Sequence, residues 1–272
     1  MILVRSVGAS IDEQIAGLLH DISHTVLSHV IDWALSAKGE SFHEVHKDRY
    51  VATTEIPEIL ECFGFPLHST EARASVMDEE HFGLVERPAP HLCADRLDYG
   101  LRDSVSFGKL SKDAACGVFV SLTAYPSVSS PDRFLVLHDE SLALELARGY
   151  LASDRDVWSN PSHVDMCRRT GQLIGDMVRS GAVPEDDLWR LSDKQFWAIL
   201  RESADLSGRE ILDSLEQGPR DQSELSLPRA AKVRTIDPDV LTGTPRPLSE
   251  LLPAWKDERA AYIAMRDAQR AD

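Results

Sequence analysis

The chain has 272 residues, enough for one large domain or two small ones. Its 29 Lys and Arg against 45 Asp and Glu leave a formal net charge of −16, which argues against a nucleic-acid polymer or an anionic membrane as partner, since clustered cations hold both. An apolar share of 43% excludes wholesale disorder, while a small phosphorylated substrate stays open because it needs only a few local cations or a metal ion.

The apolar piece from Met1 to Val4 is broken by Arg5 and is too short for a secretory signal. No stretch approaches the ~18 apolar residues of a spanning helix. Cys62, Cys93, Cys116 and Cys167 form no CxxC pair and read as thiols in a reducing cytoplasm. The expectation is a cytoplasmic protein.

Along the chain, Ile2, Leu3, Val4 and Val7 look like the last turns of an amphipathic helix, with no room for a cap ahead of them. Ser10 and Glu13 make the capping-box pattern, and Ile15, Leu18, Leu19 and Ile22 follow at helical spacing. A helix is therefore predicted from near Ile11, carrying His20 and Asp21. A second covers Ser28 to Ala37 and stops near Gly39. Residues His46 to Phe63 are helical in pattern, with Pro57 opening a short helix of its own. Pro66 to Pro90 is mixed. His91 to Ser104 is helical, with Asp95, Tyr99 and Arg102 near one another on one face. Phe134 to Leu137 reads as a strand, Ser141 to Leu151 and Val164 to Ser180 as helices, and Asp193 to Leu206 as another. Asp221 to Arg229 reads as a polar linker, Val233 to Ile236 as a weak strand, and Leu251 or Trp255 to Arg270 as a terminal helix. The content is mostly α with a few short strands.

Five ionisable residues crowd together at His20, Asp21, His24, His29 and Asp32. On a helix His20 and His24 share a face, and Asp21 adjoins His20, so the pair can grip one metal ion. His29 and Asp32 are three apart, which lets the carboxylate hold the imidazole's tautomer and raise its pKa, as a general acid requires. His43, Glu44 and His46 follow, but HEVH lacks the four-residue spacing of a zincin. A bare His-Asp pair is more often structural. The full run is sharper, because so many His and Asp are costly together unless solvated, paired or metal-bound. His68, His81, His91, His138 and His163 read as surface or satisfied core residues. Asp78-Glu79-Glu80 reads as a solvated acidic run, and Arg168-Arg169 and Arg229 to Arg234 as solvated basic faces. Arg102 is expected to pair with Asp98. No P-loop, dinucleotide fingerprint or nucleophile elbow is present.

The run from His20 to Asp32, HDISHTVLSHVID, resembles the signature of HD-domain phosphohydrolases. Within them it is most similar to the deoxynucleoside triphosphate triphosphohydrolase branch. The stretch Ala94 to Asp103, ADRLDYGLRD, resembles that branch's second motif. Gly149-Tyr150-Leu151 with Trp158, and Val233 to Pro238, resemble its helical extension and C-terminal strand. The resemblance implies a mostly α fold: an HD-domain core over residues 1–107, with its N-terminal helix incomplete, then a helical extension with minor β over 108–272. It implies a metal-dependent phosphohydrolase acting on a nucleotide, with a deoxynucleoside triphosphate as first guess, or on another small phosphate ester. His20, Asp21 and Asp95 would hold a divalent transition metal, Mn, Fe, Zn or Ni. His24 and His29 would line the phosphate side, His29 with Asp32 would donate the proton to the leaving oxygen, and His43 with Glu44 matches a catalytic His-Glu position of that branch more loosely. Arg96 would neutralise phosphate, while Tyr99, Asp103 and Glu44 would contact substrate. A homo-oligomer is implied as well.

The family pattern has a first His ligand on a helix ahead of the HD pair, and no His precedes His20 here. Two expectations follow. Either the native chain extends upstream of Met1 and carries that His, or the protein is a catalytically silent HD-fold protein that binds a nucleotide or a partner.

Overall fold

The computed structural model describes residues 1–37, 40–65, 77, 81–221, 223, 225–229 and 231–270. The expectations at Gly39, His68 and Asp78-Glu79-Glu80 concern residues outside that set. The chain forms two compact units: residues 1–20, 64–159 and 232–270 make the first, and 21–63 with 160–231 make the second. Among the described residues the fold is mostly α with one small sheet. No described helix is long and apolar enough to cross a membrane.

The first unit opens with a short helix, Ile2–Ser6, that buries Leu3 and Val4. Ser10 then starts the Ile11–Leu19 helix with a full capping box: Glu13 N–H donates to Ser10 Oγ at 3.2 Å, and Ser10 N–H to Glu13 Oε2 at 2.9 Å. Glu13 is buried and paired with Arg133, so the cap is tied into the core. The helix ends at Leu19, with His20 as its C-cap.

The Ala94–Ser106 helix carries the second motif. Its first turn is capped by Cys93 Sγ, which accepts from Arg96 N–H at 3.5 Å. It packs closely on the Glu140–Ser153 helix at Gly100, where a Cβ would stand 2.9 Å from the Tyr150 ring. A π-helical turn, Asp154–Trp158, follows that second helix. Its Asp154 is fully buried and accepts from Ser159 Oγ, Arg234 N–H and Tyr262 Oη at 2.6, 3.0 and 2.8 Å. The sheet has the order β1(Leu122–Tyr125), β2(Phe134–Leu137), β3(Asp239–Thr242), β4(Thr244–Pro247). Pairings are antiparallel, parallel and antiparallel in turn, with Leu137 opposite Val240 at the parallel step. Leu135, Leu137, Leu146, Tyr150 and Trp255 fill the core beneath it.

The strand expected over Val233 to Ile236 does not form. Arg234 N–H is taken by the Asp154 carboxylate, and Asp237 N–H by the Pro90 carbonyl at 2.9 Å, so the run stays outside the sheet. The strand lies just beyond, at β3.

The second unit is built on the Pro161–Arg179 helix, which lies against the short Val30–Leu35 helix. Gly171 and Gly175 make this approach possible. A Cβ on Gly171 would meet Trp33 Cβ at 2.5 Å, and one on Gly175 would meet the Ala34 carbonyl oxygen at 2.6 Å. Ile31, Ile174, Leu188, Phe196, Leu200 and Leu212 form the core. The Phe42–Val51, Ile56–Cys62, Asp193–Ser203 and Leu206–Glu216 helices complete the unit. The segment read as a polar linker buries Leu227 completely.

Candidate active site

The helix expected to carry His20 and His24 on one face is broken between them. After Leu19 the chain turns, and Leu27 and Ser28 take left-handed conformations with φ of +54° and +38°. Such values strain any side-chain-bearing residue. They are held by packing and by two fixed anchors: Val26 N–H donates to Leu188 O at 2.9 Å, and Leu27 N–H to Asp193 Oδ1 at 2.9 Å. The bend brings His24, His29 and His43 together. The His24 ring is stacked on His43 at a 3.8 Å centroid distance and edge-on to His29 at 5.1 Å.

His29 is 70% exposed at its side chain, and its Nδ1 lies 3.1 Å from Asp32 Oδ2. Asp32 is fixed in turn, because its Oδ1 accepts from Phe42 N–H at 2.8 Å and Ser36 Oγ at 3.4 Å. Burial raises the Asp32 pKa, but the His29 contact and the Phe42 amide outweigh it and hold the carboxyl below its ordinary value. His43 is buried, with Nδ1 2.8 Å from Ser41 Oγ, while Ser23 Oγ donates to its carbonyl oxygen at 2.9 Å. Desolvation first, and then the neighbouring His24 imidazole, pushes the His43 pKa down to about 4; the Asp21 carboxylate offsets this only in part. Asp21 Oδ1 stands 3.3 Å from His24 Nε2 and 3.8 Å from His43 Nε2. Glu44 is exposed, 4.0 Å from His43 Nε2.

In the first unit, His20 Nε2 lies 3.5 Å from Asp95 Oδ1. Three groups of described residues offer ligand atoms within 4.8 Å of one another: His20 with Glu86 and Asp95, Asp21 with His24 and His43, and His29 with Asp32 and His43. Glu86 was not anticipated, because it stands in no recognisable motif. Its nearness to Cys93 and Arg96, at the start of the motif helix, is the only sign of it, and that sign is three-dimensional.

Arg96, expected at a phosphate, is 12% exposed and spends its guanidinium locally. Its Nη1 donates to the Arg87 and His91 carbonyls at 3.0 and 2.7 Å, and its Nη2 to Glu86 Oε1 at 3.3 Å. In this geometry it braces the loop ahead of the motif helix. Asp103 Oδ2 accepts from Trp158 Nε1–H at 2.9 Å. Tyr99 Oη bonds Tyr150 Oη, and its ring lies edge-on to Trp158 at 5.5 Å. Burial raises the Tyr99 pKa and keeps the phenol neutral. Arg102 pairs with Asp98 as expected, and His91 pairs with the buried Asp239 at 3.1 Å.

No protein-family model matches the chain. A metal-dependent phosphohydrolase, cns2, of Cordyceps militaris is 52% identical over 274 residues, covering 99% of this chain and 77% of that protein. An uncharacterised protein, YdhJ, of Bacillus subtilis is 31% identical over 243 residues, covering 88% of this chain and 71% of that one. Among solved structures, a phosphohydrolase from Bacteroides thetaiotaomicron matches with a TM-score of 0.53 at 17% identity, covering 90% of this chain and 76% of its own, a likeness of fold. The HD motif, the imidazole and carboxylate groups it places, and an extended kinship with the Cordyceps enzyme converge: the chain belongs to the HD-type, metal-dependent phosphohydrolases.

Proposed function

We propose that this phosphohydrolase acts on nucleotides, with a deoxynucleoside triphosphate as first candidate, and that His29 is its proton donor. The observation that carries the reading is the His29–Asp32 pair. A carboxylate at Nδ1 fixes the ring's orientation and tautomer, and the exposed ring leaves Nε2 to reach a substrate. As water oxygen bonds to phosphorus and the bond to the leaving oxygen breaks, Nε2 gives its proton to that oxygen, while the attacking water releases a proton to solvent, from which the imidazole is reprotonated. The low His43 pKa keeps its imidazole neutral near pH 7, so it serves as a hydrogen-bonding group beside the phosphate and adds no charge. Asp103, held by Trp158, and Tyr99, held by Tyr150, are the groups assigned to the sugar, and exposed Glu44 is a further substrate contact.

The donor chemistry fits a divalent transition ion: an imidazole nitrogen of His20 and carboxylate oxygens of Glu86 and Asp95 lie within 4.8 Å of one another. His20 and Asp95 would hold the ion with Glu86 as an added carboxylate, and the motif assigns Asp21, the next residue in the chain, to it as well. When bound, such an ion draws charge from a phosphoryl oxygen. The nucleotide reading is supported by the resemblance of Ala94 to Asp103 to the triphosphohydrolase motif. A panel of deoxynucleotides, ribonucleotides and simple phosphate esters tests it, with released phosphate and triphosphate as readout. Preferred turnover of deoxynucleoside triphosphates is expected. Turnover of simple esters with none of any nucleotide would overturn it.

A further inference from the structure

The guanidinium of Arg96, expected at a phosphate, is spent on Glu86 and on the Arg87 and His91 carbonyls. Arg234 offers what Arg96 does not. Arg229 to Arg234 reads in the sequence as a solvated basic face, yet Arg234 is anchored: its N–H donates to Asp154 Oδ2 at 3.0 Å, and its side chain is only 31% exposed. Among the described residues its guanidinium donates no hydrogen bond; Asp154 Oδ1 is 3.9 Å from Nη1, beyond hydrogen-bonding distance. Asp154 does not depend on it, because Ser159 Oγ donates to Oδ1 at 2.6 Å and Tyr262 Oη to Oδ2 at 2.8 Å. An arginine held by its backbone, with its side chain partly open to solvent and its donors uncommitted, is placed to take an anion.

Its neighbours say which anion. Asp95, Tyr99 and Asp103 follow one another at four-residue steps on the Ala94–Ser106 helix, so they run along one side of it, rising about 6 Å per step. All three are partly exposed. Asp95 belongs to the His20–Glu86–Asp95 ligand group, and Asp103 lies at the other end, held by Trp158. Between them Tyr99 Oη bonds Tyr150 Oη, and Arg234 stands near enough to both phenols to act on them electrostatically, as Asp95 does on Tyr99. We propose that Arg234 is the cation that holds the substrate's phosphate chain, between the Asp95 end of the motif helix and the Asp103 end. Its planar fork suits two oxygens of a phosphate group at once. Contact with oxygens away from the breaking bond makes it a binding group, felt in KM more than in kcat. The inference rests on the placement of Tyr99 and Asp103 against substrate given above.

Isothermal titration of the full chain with inorganic triphosphate, at a fixed divalent metal concentration, tests it beside the melting temperature. The native chain is expected to bind triphosphate, and Arg234→Gln to bind it roughly tenfold to a hundredfold more weakly, the range of a lost charge-assisted hydrogen bond, while melting close to native. Arg234→Lys, which keeps the charge and loses the fork, should fall between the two. Arg96→Gln should do the reverse: it leaves the Glu86 carboxylate and two carbonyls without their donor and so lowers the melting temperature, while the folded protein binds triphosphate as the native chain does. Triphosphate carries neither base nor sugar, so these isotherms do not depend on whether nucleotides are the substrates; failure of that reading shows in the substrate panel, and failure of this one here. If Arg234→Gln does not fold, Arg234→Lys carries the test. Absence of triphosphate binding by the native chain, an unchanged isotherm in the folded Arg234 variant, or a loss in Arg96→Gln equal to that in Arg234→Gln would each overturn the proposal.

Discussion

At the scale of single residues, the two halves of the HD motif make separable predictions. Asp21→Ala is expected to lower bound metal and activity together, read by elemental analysis beside turnover. His29→Ala is expected to leave metal content intact while turnover falls by roughly 10²–10⁴, the range of a lost general acid. Loss of metal from His29→Ala would instead make His29 a ligand. His43 predicts a pH dependence of stability. Its folded-state pKa of about 4 lies below the ordinary 6.5, so between those values the unfolded chain binds the extra proton. Stability from this group is therefore present above pH 6.5 and is lost as pH falls towards 4, by a few kcal/mol at most. The melting temperature of metal-free protein should drop across that window, and His43→Gln should flatten part of the drop. An identical profile in the variant would assign the loss to other groups.

At the scale of elements, the Val30–Leu35 helix that bears Asp32 is placed by two glycines on a different helix. Gly171→Ala forces Cβ to within 2.5 Å of Trp33 Cβ and 2.9 Å of the Val30 carbonyl oxygen, so backbone must move. The expected cost is about 1–3 kcal/mol in thermal or urea unfolding, with turnover falling as His29 and Asp32 shift. Gly17→Ala is the contrast: its nearest neighbour is 3.5 Å away and its helix is regular, so it should stabilise by up to about 1 kcal/mol. Equal losses at both positions would remove the close approach as the explanation. These elements also show what a sequence can disclose. The Ser10–Glu13 cap, the Phe134–Leu137 strand and the terminal helix each announce themselves locally, through a side-chain cap or a run of apolar residues. The break after Leu19 does not, since no glycine or proline marks the left-handed Leu27 and Ser28; distant Leu188 and Asp193 impose it. Likewise β4 holds two prolines and carries no strand signal of its own, and it pairs because Gly243, at φ +99°, turns it back onto β3. Glu86 and the Arg96 brace are non-local for the same reason. The imidazoles and carboxylates that the structure gathers, Glu86 excepted, stand in the two sequence motifs or shortly after the first, but the bend that gathers the three imidazoles leaves no mark in the sequence.

At the scale of the whole molecule, a formal charge of −16 is a field that an anionic substrate must cross. At 0.01 M salt the screening length is about 30 Å, so carboxylates over much of the surface oppose a nucleotide's approach; at 0.15 M it is about 8 Å, and only groups near the site still act. Added sodium chloride should therefore lower KM for a phosphorylated substrate over this range, by roughly twofold to tenfold, and leave kcat nearly flat. The separation matters, because screening acts on the charged ligand's encounter and binding, whereas proton transfer from His29 takes place inside contacts too short to be screened. Fixing divalent metal concentration throughout keeps loading of the site from mimicking the effect. If KM instead rises with salt, cations close to the site outweigh the net charge, and the substrate is being drawn in by a local positive field within an acidic protein. Steady-state kinetics at five or so salt concentrations decides between the two, and the sign of the slope is the answer.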